Sequence, residues 1–207
     1  MVFLSKLLCV FVSAVKFLKW VGDAVPEYKI DFYQLNKKTP EHEIFSLLNP
    51  LKSGRDMGVL SEAGAPGIAD PGSLLVKMAH KNGIRVIPLI GPSSILLAMM
   101  ASGFNGQSFS FNGYLPINQK RRKQAITQLE GESLRHDKTQ IFMEAPYRNN
   151  EILTSILEIC RTETKLCIAS NITLEHEFIV SKEIQEWKKK KLPNLHKQPT
   201  IFILYAK

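Results

Sequence analysis

The stretch Ser61 to Gly72, SEAGAPGIADPG, holds three glycines, two prolines and two acids in twelve positions, directly after an apolar run. An ordinary surface turn needs one glycine or one proline. This density specifies a loop whose main chain bends sharply and stays open to close approach. The flanks repeat one plan. DMGVL enters the loop as a short buried strand around Met57 to Leu60, and GSLLVKMAHKNG leaves it as an amphipathic helix closed by Gly83. IRVIPLI (Ile84 to Ile90) reads as another buried strand, and GPSSILLAMMASG as a second tight turn and a helix ending at Gly103. Strand, glycine loop, helix, twice over, predicts an α/β domain with a mostly parallel sheet, in which ligands bind beyond the carboxyl ends of the strands. Both loops fall at such ends, so both are expected to face one ligand.

Upstream, the apolar residues Leu4, Leu7, Leu8, Phe11, Val15 and Leu18 share one helical face, and the spacing predicts a helix docked on the core. The uncharged run Leu7 to Val15 is far below the ~20 residues that span a bilayer, so no membrane segment is expected. IDFYQLN (Ile30 to Asn36) reads as a strand. TPEHEIFSLLNPLKSG reads as a helix capped by Thr39, with Pro40 in its first turn and Glu41 and Glu43 at the positive end of its dipole. FSFNGYLP changes character and reads as a linker, placing a domain boundary at 112/113. The second half is read as a polar helix from about Asn118 to Gly131, a strand Gln140 to Ala145, a helix capped by Asn149 or Asn150, a strand KLCIASNIT, a hairpin-like EFIVSKEIQEW and a closing strand, PTIFILYAK.

The loops lack the GxGxxG of a dinucleotide fold and the GxxxxGK[ST] of a P-loop, and neither HExxH nor a Cys/His cluster occurs, so no metal is expected. Three cysteines without metal-ligand spacing predict free thiols in a reducing, cytoplasmic setting. A net charge of +8 favours a polyanionic partner such as RNA. Its local sources are KRRK (Lys120 to Lys123) and KKKK (Lys188 to Lys191); either is also explained as a solvated helix end, the second more readily.

LSEAGAPGIADPG, VIPLIGPSSILLAMMASG, FSFNGYLP and FMEAPYR, in this order, resemble the tetrapyrrole methylase superfamily, and within it the ribosomal RNA small subunit methyltransferase I branch. NITLEHE is similar to a further motif of that branch. The resemblance implies two α/β domains with a cleft between them, S-adenosylmethionine as cofactor, a homodimer, and methylation of a ribose 2′-hydroxyl of small-subunit rRNA. Carried onto this sequence, the cofactor would meet the main chain of Gly64, Ala65, Pro66, Gly67 and Ile68, and the hydroxyls of Ser93 and Ser94. The second domain would add Met143, Asn171, Thr173, Thr200 and Ile201. Glu62, Asp70 and Glu144 are the carboxylates inside the motifs, hence the candidates for general base or orienting group, with Asp70 alternatively capping the helix after Pro71. Glu62 stands where the family pattern has Asp. Arg121, Arg122 and Arg148 lie where the branch is basic and would hold RNA phosphates.

The family opens with a strand and a TPIGN-type loop, then a helix and an AEDTR-type segment, before the region matched here. This chain carries no counterpart of the opening strand and loop, and Phe11, Val12, Ser13 and Ala14 stand where relatives have acidic then basic residues. One wall of the cofactor pocket is therefore expected to be missing from residues 1–207. Three functions follow: an S-adenosylmethionine-dependent RNA methyltransferase; a non-catalytic homologue acting as a dimeric RNA-binding or structural protein; and a tetrapyrrole methyltransferase, disfavoured by the basic charge.

Overall fold

A computed structural model describes residues 6–8, 20, 31–36, 38–61 and 64–207. They form two compact units, Met1–Pro92 and Ser93–Lys207. The second unit thus takes in residues 93–112, which the sequence reading assigns to the first domain.

In the first unit, strand β1 (Lys6–Leu8) lies between β2 (Asp31–Tyr33) and β3 (Gly58–Val59), all parallel, with Leu7 opposite both Phe32 and Gly58. Part of the expected N-terminal helix is therefore a strand, and the rest of that stretch lies outside the described residues. Helices α1 (Glu41–Ser46), α2 (Asn49–Lys52) and α3 (Ser73–Lys81) bring Ile44, Leu48, Leu75 and Ala79 into a core that also receives Met57, Val59 and Ile84. The expected single helix after Thr39 is two, separated at Leu47 and Leu48. Thr39 does not cap it: its hydroxyl accepts the Asn36 N–H at 2.9 Å in the preceding turn, and Pro40 occupies the cap position. Helix α3 forms as its periodicity predicts, with His80 and Lys81 at the negative end of its dipole and Gly83 at φ 67° turning the chain away.

Ile84 to Ile90 does not form the expected strand. Past Ile84 the segment is solvent-exposed, Leu89 to 72%. A strand needs a ladder partner; no described strand lies alongside, and Pro88 lacks the N–H one would use.

The second unit is a five-stranded sheet in the order β4 (Phe109–Tyr114), β5 (Thr139–Met143), β8 (Thr200–Tyr205), β6 (Lys165–Ser170), β7 (Phe178–Glu183). Only β4 and β5 are parallel; the other pairs are antiparallel, whereas the described strands of the first unit are all parallel, as expected there. FSFNGY, expected as a linker, is the edge strand β4. The central strands are near-continuous apolar runs because both faces are covered. Phe142, Leu166, Ile168, Phe202 and Leu204 point to one side, into a core shared with α5 (Gln119–His136), α6 (Asn149–Ile159) and α7 (Ile184–Lys188). Ile141, Cys167, Ala169, Ile201 and Ile203 point to the other, against α4 (Ser94–Ser102). Phe142 and Phe202 are fully buried and stack at 5.8 Å, each worth roughly 1.5–3 kcal/mol of burial. Asn118 caps α5, accepting the Arg121 N–H at 3.1 Å. Neither Asn149 nor Asn150 caps α6: the Asn149 amide donates to the Gln198 carbonyl at 2.6 Å, and the Asn150 carbonyl accepts the Leu195 N–H at 2.8 Å. Both side chains pin the loop before β8 instead.

Candidate active site

The candidate residues fall in both units. In the first, Gly64 to Gly72 forms a run of tight turns after β3. Gly64, Gly67 and Gly72 have φ of 92°, 79° and 143°, conformations that side chains rarely adopt. A Cβ on Gly72 would stand 3.3 Å from the Gly67 nitrogen, so the loop closes backbone against backbone there. A Cβ on Gly64 would meet nothing within 4 Å, so the main chain at that point is open. Ala65 and Gly67 are half-buried; Pro66 and Ile68 are exposed. Asp70 is half-buried and, among the described residues, makes no hydrogen bond or ion pair; Gly72, not Asp70, holds the cap position of α3. Glu62 lies outside the described residues. A cleft of about 310 Å³ elsewhere in this unit is lined by Tyr33, Ser46, Asn49 and Arg55 and contains none of the candidates.

In the second unit, one end of the sheet gathers most of the others. Met143 of β5 pairs with Ile201 of β8, and Thr200 pairs with Ser170 at the end of β6. Ile95, in the first turn of the helix that Ser94 opens, packs against the same core cluster as Met143, Ile172 and Ile201. Ser93 holds the N-cap position, but neither hydroxyl is engaged among the described residues. Thr200 and Ile201 are buried, the Thr200 hydroxyl bonded to Ser170 Oγ and the Gln198 carbonyl, both at 3.0 Å. The Asn171 amide donates to Gln198 Oε1 at 3.2 Å. Asn171 and Thr173 both have positive φ, 52° and 68°, and the Glu177 carboxylate accepts the Thr173 N–H at 2.7 Å. Positive φ at a β-branched residue is strained, so this turn is held by its surroundings. Gln198, which joins Ser170 and Asn171, was not singled out from sequence; it sits in an unpatterned loop and carries no motif.

Glu144 and two of the arginines differ from their expected roles. The Glu144 carboxylate is ion-paired with the Arg148 guanidinium, and its other oxygen accepts the Ala145 N–H at 2.8 Å. The two side chains are 4% and 8% exposed. Both oxygens are engaged and turned inward, so Glu144 shapes the turn from β5 into α6 and is poorly placed to take a substrate proton. Arg148 is equally poorly placed to meet a phosphate. Arg122 is buried too, donating to Ser155 Oγ and the Ile117 carbonyl, both at 3.3 Å, with Glu151 at 3.6 Å. Of the three candidate arginines only Arg121 is exposed.

Residues 9–188 match the family described as Tetrapyrrole (Corrin/Porphyrin) Methylases. The chain belongs to the tetrapyrrole methylase family. Proteins named ribosomal RNA small subunit methyltransferase I are among its relatives. That of Vibrio cholerae is 31% identical over 185 residues, covering 88% of this chain and 63% of that protein. That of Bacillus subtilis is 32% identical over 157 residues, covering 76% and 51%. The chain thus spans between about half and under two thirds of the length of these curated relatives. Among solved structures, the methyltransferase CobJ superposes with a TM-score of 0.60 at 16% identity, covering 99% of this chain and 95% of that one. Cobalt precorrin-4 methyltransferase, a cobalamin biosynthetic enzyme, gives 0.56 at 12%, covering 98% and 84%. These likenesses establish the mixed α/β fold of the chain. Among the described residues no helix is long and apolar enough to cross a membrane, and no group of His, Cys, Asp and Glu is arranged to hold a metal.

Proposed function

We propose that this chain is an S-adenosylmethionine-dependent methyltransferase acting on the ribose 2′-hydroxyl of a small-subunit rRNA nucleotide. The observation that carries the reading is the family match over residues 9–188, joined to relatives at 31% and 32% identity that are named rRNA small subunit methyltransferases. A uroporphyrin-III C-methyltransferase of the same fold, from Thermus thermophilus, is described in complex with S-adenosyl homocysteine. The open main chain at Gly64 and the unengaged hydroxyls of Ser93 and Ser94 fit a ligand bearing amino, carboxylate and ribose groups. When bound, the cofactor supplies an electrophilic methyl on a sulfonium. The chain's own contribution is alignment and exclusion of water. In the second unit Ser93, Ser94, Met143 and the strained Asn171–Thr173 turn are the groups proposed to hold the donor, with buried Thr200 and Ile201 supporting them, and in the first unit the open main chain of Gly64 to Ile68 is the proposed cofactor-binding segment. Of the two described candidate carboxylates, Glu144 is engaged in an ion pair, and half-buried Asp70, without a described partner, is the proposed acceptor of the hydroxyl proton. A homodimer in a cytoplasmic setting remains part of this proposal.

Isothermal titration with S-adenosylhomocysteine tests the cofactor half. Binding is expected, weakened by Gly64→Val; no heat at millimolar ligand refutes the enzyme reading for this chain. Transfer of labelled methyl to small-subunit rRNA tests the substrate half, and label appearing on a porphyrin or corrin instead reverses it.

A further inference from the structure

The two basic clusters are used very differently. In KRRK, Arg122 is buried among Ser155, Ile117 and Glu151, and Lys123 bonds Glu158 at 2.9 Å, leaving Lys120 and Arg121 exposed. In KKKK, all four side chains are exposed and, among the described residues, none forms an ion pair. The platform beneath them is rigid. Ile184 and Trp187 bury one side of α7, the Trp187 indole N–H donates to the Leu166 carbonyl at 3.0 Å, and a capping box links Glu183 and Glu186 at its start. Nearby acids are already engaged: Glu186 accepts the Glu183 N–H at 3.1 Å, and Glu183 accepts from the Gln185 amide at 2.6 Å.

A fifth lysine joins the four. Lys182 of edge strand β7 holds its ammonium 5.3 Å from the centre of the Trp187 ring. Desolvation, then the charge of Lys190, holds its amine below the usual lysine range, and Glu186 offsets part of this. The dipole of a five-residue helix rationalises one lysine in its last turn, Lys188, and a lysine on an edge strand guards against strand pairing. Neither accounts for Lys189, Lys190 and Lys191, which add like charge to one fixed surface. Such crowding is unfavourable in the free protein and is relieved by a polyanion.

We infer that Lys182 and Lys188 to Lys191 form the surface on which RNA backbone phosphates lie, an inference that rests on the RNA-substrate reading above. Phosphate contacts of this kind set register and orientation and carry little sequence information. The test is binding of a fluorescent single-stranded fragment of small-subunit rRNA across a salt series, comparing the unaltered chain, K188Q/K189Q/K190Q/K191Q and K120Q/R121Q. Each phosphate neutralised contributes about 0.7 to the slope of log affinity against log salt for a single strand, so loss of four contacts lowers that slope by about 3. The lysine variant is expected to show this drop, with a thermal melt no lower than that of the unaltered chain because its side chains are exposed and their mutual repulsion is removed, and the K120Q/R121Q variant a smaller one. An unaltered slope in the lysine variant, while the unaltered chain binds RNA, overturns this surface alone. No salt-dependent RNA binding by the unaltered chain overturns both the surface and the substrate reading. Binding to phosphatidylserine vesicles in preference to RNA, abolished by the four substitutions, assigns the surface to lipid and overturns the inference.

Discussion

Replacing Arg148 by methionine removes a guanidinium from beside a carboxylate that is itself 4% exposed. The methionine stem fills much of the same volume, so the change isolates the charge from the packing. Glu144 is left buried with the Ala145 N–H as its described partner. Breaking one side of a buried ion pair costs about 3–5 kcal/mol, because the remaining charge stays desolvated without compensation. Against the roughly 5–15 kcal/mol that stabilises a domain, this is about a fifth of the total or more. It corresponds to a fall in melting temperature on the order of 10 °C for a chain of this length. Thermal melts by circular dichroism and urea unfolding read the loss directly. The double variant E144Q/R148M replaces the pair by an amide, which can still accept the Ala145 N–H, and a thioether. It is expected to recover most of the stability, giving a coupling of about 2–3 kcal/mol in a double-mutant cycle. The competing view, that Arg148 is an RNA anchor, predicts the opposite pattern. A melt within about 2 °C of the unaltered chain, with a reduced salt slope for RNA, would falsify the structural role assigned here.

Other outcomes follow from the same structure. Desolvation, then the Glu130 carboxylate, pushes the Cys160 thiol far up, and desolvation raises that of Cys167. The folded state therefore keeps protons that the unfolded chain releases, so stability is full below about pH 8.5 and falls as pH rises, by up to about 1.4 kcal/mol per pH unit for each thiol; denaturant midpoints between pH 7 and 10 read it. A flat profile contradicts the burial. Gly72→Ala places a Cβ 3.3 Å from the Gly67 nitrogen at φ 143° and is expected to cost roughly 1–3 kcal/mol and weaken S-adenosylhomocysteine binding. Gly54→Ala, also at positive φ but with nothing within 4 Å, keeps the binding in the same titration; equal losses of binding in the two variants refute a special role for the loop's closure. Trp187→Phe leaves the Leu166 carbonyl without the indole donor and is expected to lower stability by about 1–3 kcal/mol in urea unfolding.

Local signals were legible where local energetics decide. The amphipathic period of α3, the closing glycine at Gly103 and the start of a helix near Asn118 needed no tertiary information. Side-chain partners were not legible. Thr39, Asn149 and Asn150 are residues that cap helices, yet each bonds into a turn or a loop distant in sequence, because the fold offered those groups a better acceptor or donor. Glu144 and Arg148 stand four apart within a recognisable motif, but only burial separates an internal ion pair from a base and a phosphate anchor. The same holds for Arg122: a basic run on a polar helix looks like surface until α6 packs across it.

By itself, the sequence of this chain pointed to the family, because SEAGAPGIADPG and the motifs after it, in that order, resemble those of the family that residues 9–188 match. It also determined which strands carry both faces of the second sheet, since unbroken apolar runs such as TIFILY have no side to leave in water. Tertiary structure alone decided the direction of strand pairing, the failure of Ile84 to Ile90 to join a sheet, and the division of the basic residues into structural and available ones. Each of these depends on what lies across from a residue at long sequence separation. A period or a charge run specifies which face a side chain takes, and the neighbour that then accepts its hydrogen bond or its charge is supplied only by the fold.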